Sequence, residues 1–142
     1  MLDSALIGVS DVLADEDQLE LDRLVDSHNM ERSGIQHARL ISIMLRSPDG
    51  ALFAGLHGYT WGGYCEVKSL WVAGERRGKG LGSLLLKSAE REAKRRGCGG
   101  VLLTTHSFQA PDFYPKLGYV QCGLAQDWPL GHQEYSFTKR LA

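Results

Sequence analysis

The chain has 142 residues, 43% hydrophobic and 23% charged. These are ordinary globular values that exclude disorder of the chain as a whole, and a domain of this size buries roughly two-thirds of its unfolded surface. The formal net charge of -1 lacks the basic surplus with which proteins coat nucleic acid or anionic membrane, so neither is expected as a partner.

Residues 5–13 read as a first strand. Asp15, Glu16 and Asp17 place negative charge at the start of a helix over about 16–30, where it favours the positive end of the macrodipole. The apolar positions Leu19, Leu21, Leu24 and Val25 are expected mostly on one side of it. Residues 38–46 read as a strand, Ser47-Pro48-Asp49-Gly50 as a turn, and 51–60 as the strand that pairs back. Trp61-Gly62-Gly63 is a second turn, and 64–72 completes an antiparallel meander.

Residues 81–96 form the clearest helix. Leu81, Leu84, Leu85, Ala89 and Ala93 make an apolar stripe, with Glu90, Arg91, Glu92, Lys94 and Arg95 facing out. Gly97 sits where a left-handed cap belongs. Residues 100–106 are a short apolar strand. A helix between it and 64–72 makes a βαβ unit, so these two strands should be parallel. A short helix at 109–117 ended by Gly118, then strands 119–125 and 133–140, complete the chain. The fold class is α/β: one domain over 1–142, a mixed sheet with an antiparallel N-terminal meander and a central parallel pair joined by a crossover helix.

The loop Arg76 to Gly82 lies between a strand end and a helix start. Glycines at 78, 80 and 82 let backbone N–H groups approach a ligand, the helix N-terminus favours an anion, and Arg76, Arg77 and Lys79 add cations. Together they suit a phosphate better than a glycine turn alone. Two common phosphate motifs fail. The dinucleotide pattern G-x-G-x-x-G would need glycine at Ser83. The nucleotide P-loop, counted from Gly74, would need glycine at Lys79.

The pattern that does match is R-x-x-G-x-G, here Arg77-Gly78-Lys79-Gly80-Leu81-Gly82, after the strand end Leu70-Trp71-Val72. With Phe113-Tyr114-Pro115-Lys116-Leu117-Gly118-Tyr119, which looks like an F-Y-x-x-x-G-F/Y element, it resembles the GCN5-related N-acetyltransferase (GNAT) family. The order of elements agrees over nearly the full chain. The resemblance implies an acyltransferase with acetyl-CoA as co-substrate. It places the pyrophosphate of coenzyme A on Arg77, Gly78, Lys79, Gly80, Leu81, Gly82 and Ser83, and the pantetheine arm on the backbone of Leu70, Trp71 and Val72.

By the same resemblance Tyr114 is the acid that protonates the departing thiolate. A phenol of pKa about 10 can serve a thiol of about 8.5 when well placed; the alternative is a tyrosine that only packs. Pro115 departs from the family's usual helical residue and leaves the aim of Tyr114 open. Glu66 is the candidate base. Strand alternation would put it on one face with Lys68, Leu70 and Val72, and burial among aromatics would raise its pKa; the alternative is an ion pair with Lys68. His57 and His106 are further candidates. Lys94, Arg95 and Arg96 either attract a nucleotide 3′-phosphate or form a solvated face.

Cys65, Cys98 and Cys122 form no C-x-x-C pair, so buried reduced thiols and no metal are expected. No leader or span of roughly 20 apolar residues appears, and a soluble cytoplasmic protein is expected. Trp61, Tyr59, Tyr64 and Trp71, or the acidic first helix, are candidates to receive an amine acceptor, whose identity stays open; a homodimer is left open too. The main reading is an N-acetyltransferase working by direct attack in a ternary complex. A non-catalytic acyl-CoA-binding regulatory module, or a partner-binding protein that keeps only the fold, are the alternatives.

Overall fold

The computed structural model describes residues 3–142. The chain divides into two compact units, at His37/Ala38. The first holds a short 3-10 turn at Ser4–Leu6 and helix α1, Asp15–Ser33. The strand expected over 5–13 is not formed. Local bonds compete with extended pairing there: Asp3 caps the turn through Ala5 N–H, and Ser10 Oγ accepts from Val12 N–H. Helix α1 carries its acidic first turn as expected and runs on to Gly34, whose φ of 72° ends it. No residue of α1 is buried. At ~100° per residue, Leu21 lies nearly opposite Leu19, so the expected stripe is not continuous.

The second unit is a six-stranded sheet in the order β1-β2-β3-β4-β6-β5. Strands β1 (Arg39–Arg46), β2 (Leu52–Trp61) and β3 (Tyr64–Val72) form the antiparallel meander. Gly50, Gly62 and Gly63 take positive φ in its two turns, where a side chain would be strained. Helix α2 (Leu81–Arg95) crosses over to β4 (Gly100–His106), which lies parallel to β3. Strands β5 (Val120–Gln126) and β6 (Gln133–Arg140) pair antiparallel on the far side. Among the described residues, no helix is long and apolar enough to cross a membrane.

The core lies between α2 and one face of the sheet. Leu85, Leu86, Ala89 and Ala93 meet Leu56, Cys65, Val101 and Leu103 there. Two positions of α2 differ from expectation. Leu84 is 56% exposed, and Leu86 is fully buried in its place. Glu90, expected outside, is buried because it is partnered on both oxygens: Tyr119 donates to it at 2.8 Å and Lys139 approaches at 2.9 Å. The helix expected at 109–117 shrinks to a 3-10 turn, Pro115–Leu117. Pro111 and Pro115 each lack the N–H a longer helix would need. Gly118, with φ of 92°, closes the turn as expected. Cys65 and Cys98 are buried, and burial pushes the Cys65 thiol up to about 11. Cys122, in contrast, is exposed.

Arg96 locks α2 to the sheet. Its guanidinium donates to Leu40 C=O at 3.0 Å and to Thr60 Oγ1 at 3.1 Å, and pairs with Glu92 at 2.8 Å. Arg95 is bound to Glu92 as well. Two of the three cations considered for a 3′-phosphate are therefore engaged within the protein. Arg96→Ala is expected to cost about 2–3 kcal/mol, because it strands half-buried acceptors and an acidic partner. Chemical denaturation would measure it; a loss below ~0.5 kcal/mol would show the contacts to be incidental.

Candidate active site

The site is created by a one-residue irregularity. Along β2 and β3, His57 faces Ser69 while Gly58 faces Val67, so Lys68 is an extra residue on β3. Such a bulge reverses the alternation beyond it. Val67 and Cys65 lie opposite Gly58 and Thr60, on the core face. Leu70 and Val72 lie opposite Leu56 and Ala54, on the same core face. Glu66 lies opposite Tyr59, on the other face. The expectation that Glu66 shares a face with Leu70 and Val72 is thus overturned: without the bulge all three would alternate together, and with it they separate.

At the same point β3 leaves β4. Their parallel pairing ends at Val67↔Leu103, whereas β4 stays paired with β6 as far as His106. Beyond the divergence, β3 keeps only its β2 neighbour. Ala73 N–H donates to Phe53 C=O at 2.8 Å. Counting back along an antiparallel ladder, Trp71 and Ser69 turn their backbone groups to β2, and Leu70 and Val72 turn theirs away from it. Of the three residues expected to offer backbone, two do so and Trp71 does not.

The divergence opens a cleft of about 860 Å³ between β3, the glycine loop, the end of β4 and the segment around Tyr114. Its floor at the loop is the start of α2. The helix is entered through Gly80, with φ of 81° and no side-chain cap, so the first-turn N–H groups are left for a ligand. Gly78 also has positive φ, at 76°. Gly82 serves differently: a Cβ there would stand 3.4 Å from Phe113 Cζ and 3.8 Å from Val72 Cγ2, narrowing the cleft.

The loop cations are less free than their spacing suggests. Arg77 Nε donates to Val72 C=O at 2.8 Å, latching the loop to the strand end. The Arg76 guanidinium sits 3.8 Å over the Phe53 ring. Lys79 turns to a shallower groove with Glu75 and Leu84, outside the main cleft. The remaining loop residues expected to bind, Arg77, Gly78, Gly80, Leu81, Gly82 and Ser83, line the cleft with Leu70, Trp71 and Val72.

Tyr114 lines the cleft across from β3. Its ring packs against Phe113, Tyr119 and Phe137, with centroids 5.1, 5.9 and 5.8 Å away. Pro115 opens the 3-10 turn instead of interrupting a helix, so it stabilises the turn that aims Tyr114. Burial raises the Tyr114 pKa, because desolvation disfavours the phenolate. Its hydroxyl makes no hydrogen bond to another described residue, leaving the proton available to a ligand.

Glu66 does not line this cleft. It accepts from Tyr59 Oη at 3.1 Å and pairs with Lys68 Nζ at 3.1 Å. Lys68 itself lines the cleft, and the hydrogen bond to Glu66 raises its pKa. His57 is exposed opposite Ser69. His106 ends β4 and faces Glu134, 3.4 Å from Nε2 to Oε2. Among the described residues, no group of three His, Cys, Asp or Glu converges as metal ligands would. Phe108 and Gln109, which also line the cleft, escaped the sequence reading. No motif marks them.

The cleft is lined by the uncapped start of α2, the free edge of β3 and the Tyr114 phenol. Known proteins resemble this chain in sequence and fold. The model of the acetyltransferase (GNAT) family matches residues 15–119. An acetyltransferase from Agrobacterium fabrum is 32% identical over 115 residues, covering 81% of this chain and 84% of that one. Blasticidin-S acetyltransferase from Streptomyces morookaense is 39% identical over 93 residues, 65% of this chain and 68% of that one. A crystal structure of an acetyltransferase from Bacillus cereus superposes with a TM-score of 0.77 at 32% identity, covering 94% of this chain and 98% of that one.

Proposed function

The chain belongs to the acetyltransferase (GNAT) family, and on that premise we propose that it transfers the acetyl group of acetyl-CoA to a primary amine of a small molecule or peptide by direct attack in a ternary complex. The observation that carries this is the cleft where β3 parts from β4 beyond Val67↔Leu103, closed at one end by the uncapped start of α2 and flanked by Tyr114. The family match spans both compact units, which supports reading residues 1–142 as one domain.

In this reading the first-turn N–H groups after Gly80 hold the pyrophosphate, assisted by the guanidinium nitrogens Arg77 keeps free. The outward backbone groups of Leu70 and the N–H of Val72, whose C=O is held by Arg77, pair with the pantetheine arm as an added strand would. A β3 N–H polarises the thioester carbonyl where negative charge develops. The amine nitrogen forms the C–N bond to that carbonyl carbon. The C–S bond breaks, and Tyr114 donates its phenolic proton to the sulfur. The attacking nitrogen sheds its extra proton through water toward Glu66, which enters only by such a relay because it lies off the cleft. A cytoplasmic enzyme is consistent with this chemistry.

Two measurements test the proposal. Free thiol release from acetyl-CoA is expected with blasticidin S, the acceptor named for a relative 39% identical, or with another amine of a panel spanning amino acids, polyamines and peptides. Acetyl-CoA binding without transfer to any amine would favour a non-catalytic acyl-CoA-binding module instead. Glu66→Gln is expected to slow turnover about tenfold near neutral pH with little change in the KM for acetyl-CoA. An unchanged kcat would leave Glu66 as the ion-pair partner of Lys68 and nothing more.

A further inference from the structure

The cleft is chemically lopsided, and its two walls differ in charge. The cations that line it, Lys68, Arg76 and Arg77, all come from β3 and the glycine loop. The other wall, supplied by residues between Thr104 and Tyr114, brings no lysine or arginine into the cleft. On this wall Phe108 lines the cleft and is still 57% exposed.

Phe108 is held as a plate. His106 stacks on it at 5.3 Å with an interplanar angle of 11°, and His132 meets it edge-on at 5.0 Å. Both histidines are themselves tied down. His106 Nδ1 lies 3.2 Å from Gln109 Oε1, which also accepts from His106 N–H at 2.7 Å. The loop bearing His132 is clipped to the end of β4: Ser107 N–H donates to Gln133 C=O at 2.9 Å, and Gln133 N–H to Ser107 Oγ at 3.1 Å. An apolar ring fixed this firmly and left open to a cleft has been denied the usual escape of folding into the core.

We infer that Phe108, backed by His106 and His132, is the acceptor subsite, and that it selects amines carried on a planar aromatic or heteroaromatic group. The ligand's ring stacks on Phe108, and its amine is directed along the cleft toward β3. Stacking rewards planarity beyond apolar area, so shape distinguishes this subsite from a merely greasy one. The inference rests on the acetyl-transfer reading above and names the acceptor class for it.

The test compares 2-phenylethylamine with 2-cyclohexylethylamine, similar in size and apolarity but not in planarity, and with n-butylamine, all with acetyl-CoA. Wild type is expected to prefer the phenyl over the cyclohexyl amine in kcat/KM by roughly three- to tenfold. Phe108→Leu, which keeps an apolar side chain and should fold, is expected to bring that ratio within about twofold of one. Phe108→Ala is expected to do the same, with circular dichroism reporting the fold. Equal use of the two ring amines by wild type, or an unchanged ratio in Phe108→Leu, overturns the inference and leaves acetyl transfer standing. Failure to acetylate any amine overturns both.

Discussion

Gly58→Ala is expected to cost about 3–5 kcal/mol, which for a chain of this size lowers Tm by on the order of 10 °C or more. A Cβ on Gly58 would stand 2.0 Å from Glu66 O and 3.0 Å from Val67 Cα. Those are backbone atoms of the neighbouring strand, so no rotamer change relieves the clash and the ladder itself must open. The place matters as much as the contact. Gly58 faces Val67 immediately beside the extra residue Lys68, where β3 switches phase and begins to leave β4. A variant that folds at all should therefore also lose acetyl-CoA affinity, since Leu70 and Val72 would no longer turn their backbone to the cleft. Gly55→Ala makes the control. Its nearest neighbours are Met44 Sδ at 3.2 Å and Ile43 O at 3.3 Å, and a flexible thioether can yield. Thermal melts of the two variants decide the matter: a Gly58→Ala Tm within a few degrees of wild type would mean that the bulge relaxes easily.

Tyr114→Phe is expected to lower kcat by about a hundredfold or more while leaving the KM for acetyl-CoA close to wild type, the mark of a group used in the transition state and not in binding. Stability should not follow activity. The ring contacts to Phe113, Tyr119 and Phe137 survive the change, and the lost hydroxyl has no hydrogen bond to another described residue. The pH dependence follows from the direction of the shift. Burial disfavours the phenolate and raises the pKa above the ordinary 10.0, so the proton-bearing form persists at pH values where a solvent tyrosine would begin to ionise. An acid of this kind gives no fall of kcat between pH 7 and 9.5. An alkaline limb in that range, or a variant with unchanged kcat, would assign the proton to another donor.

Much of the fold is legible in local pattern. Strand 64–72, the crossover helix, strand 100–106 and strand 133–140 stand where periodicity and turn residues put them, because glycines at 62, 63, 80, 97, 99 and 131 mark where they begin or end. The exceptions have local causes as well. Residues 5–13 carry apolar side chains but no partner strand, and Pro111 and Pro115 undo the short helix that the apolar residues of 109–117 suggest.

The sequence by itself determined the make-up of the glycine loop. Glycines at 78, 80 and 82, cations beside them and a helix start are contiguous, so their joint chemistry is readable without a fold, and Phe113-Tyr114 completes the family pattern. Only the tertiary structure decided which of those groups are free. Arg77 is spent partly on Val72 and Arg76 on Phe53, and Lys79 turns to another groove. It also decided that Glu66 lies off the cleft, that Glu90 is buried, and that Phe108 stands open beside two histidines. The physical reason is common to these cases. A bulge adds one residue without any signature of its own, yet it reverses every side chain beyond it. Ion pairs and ring stacks join residues as far apart as Glu90 and Lys139 or Phe108 and His132, whose meeting is set by strand order and register and by no spacing along the chain.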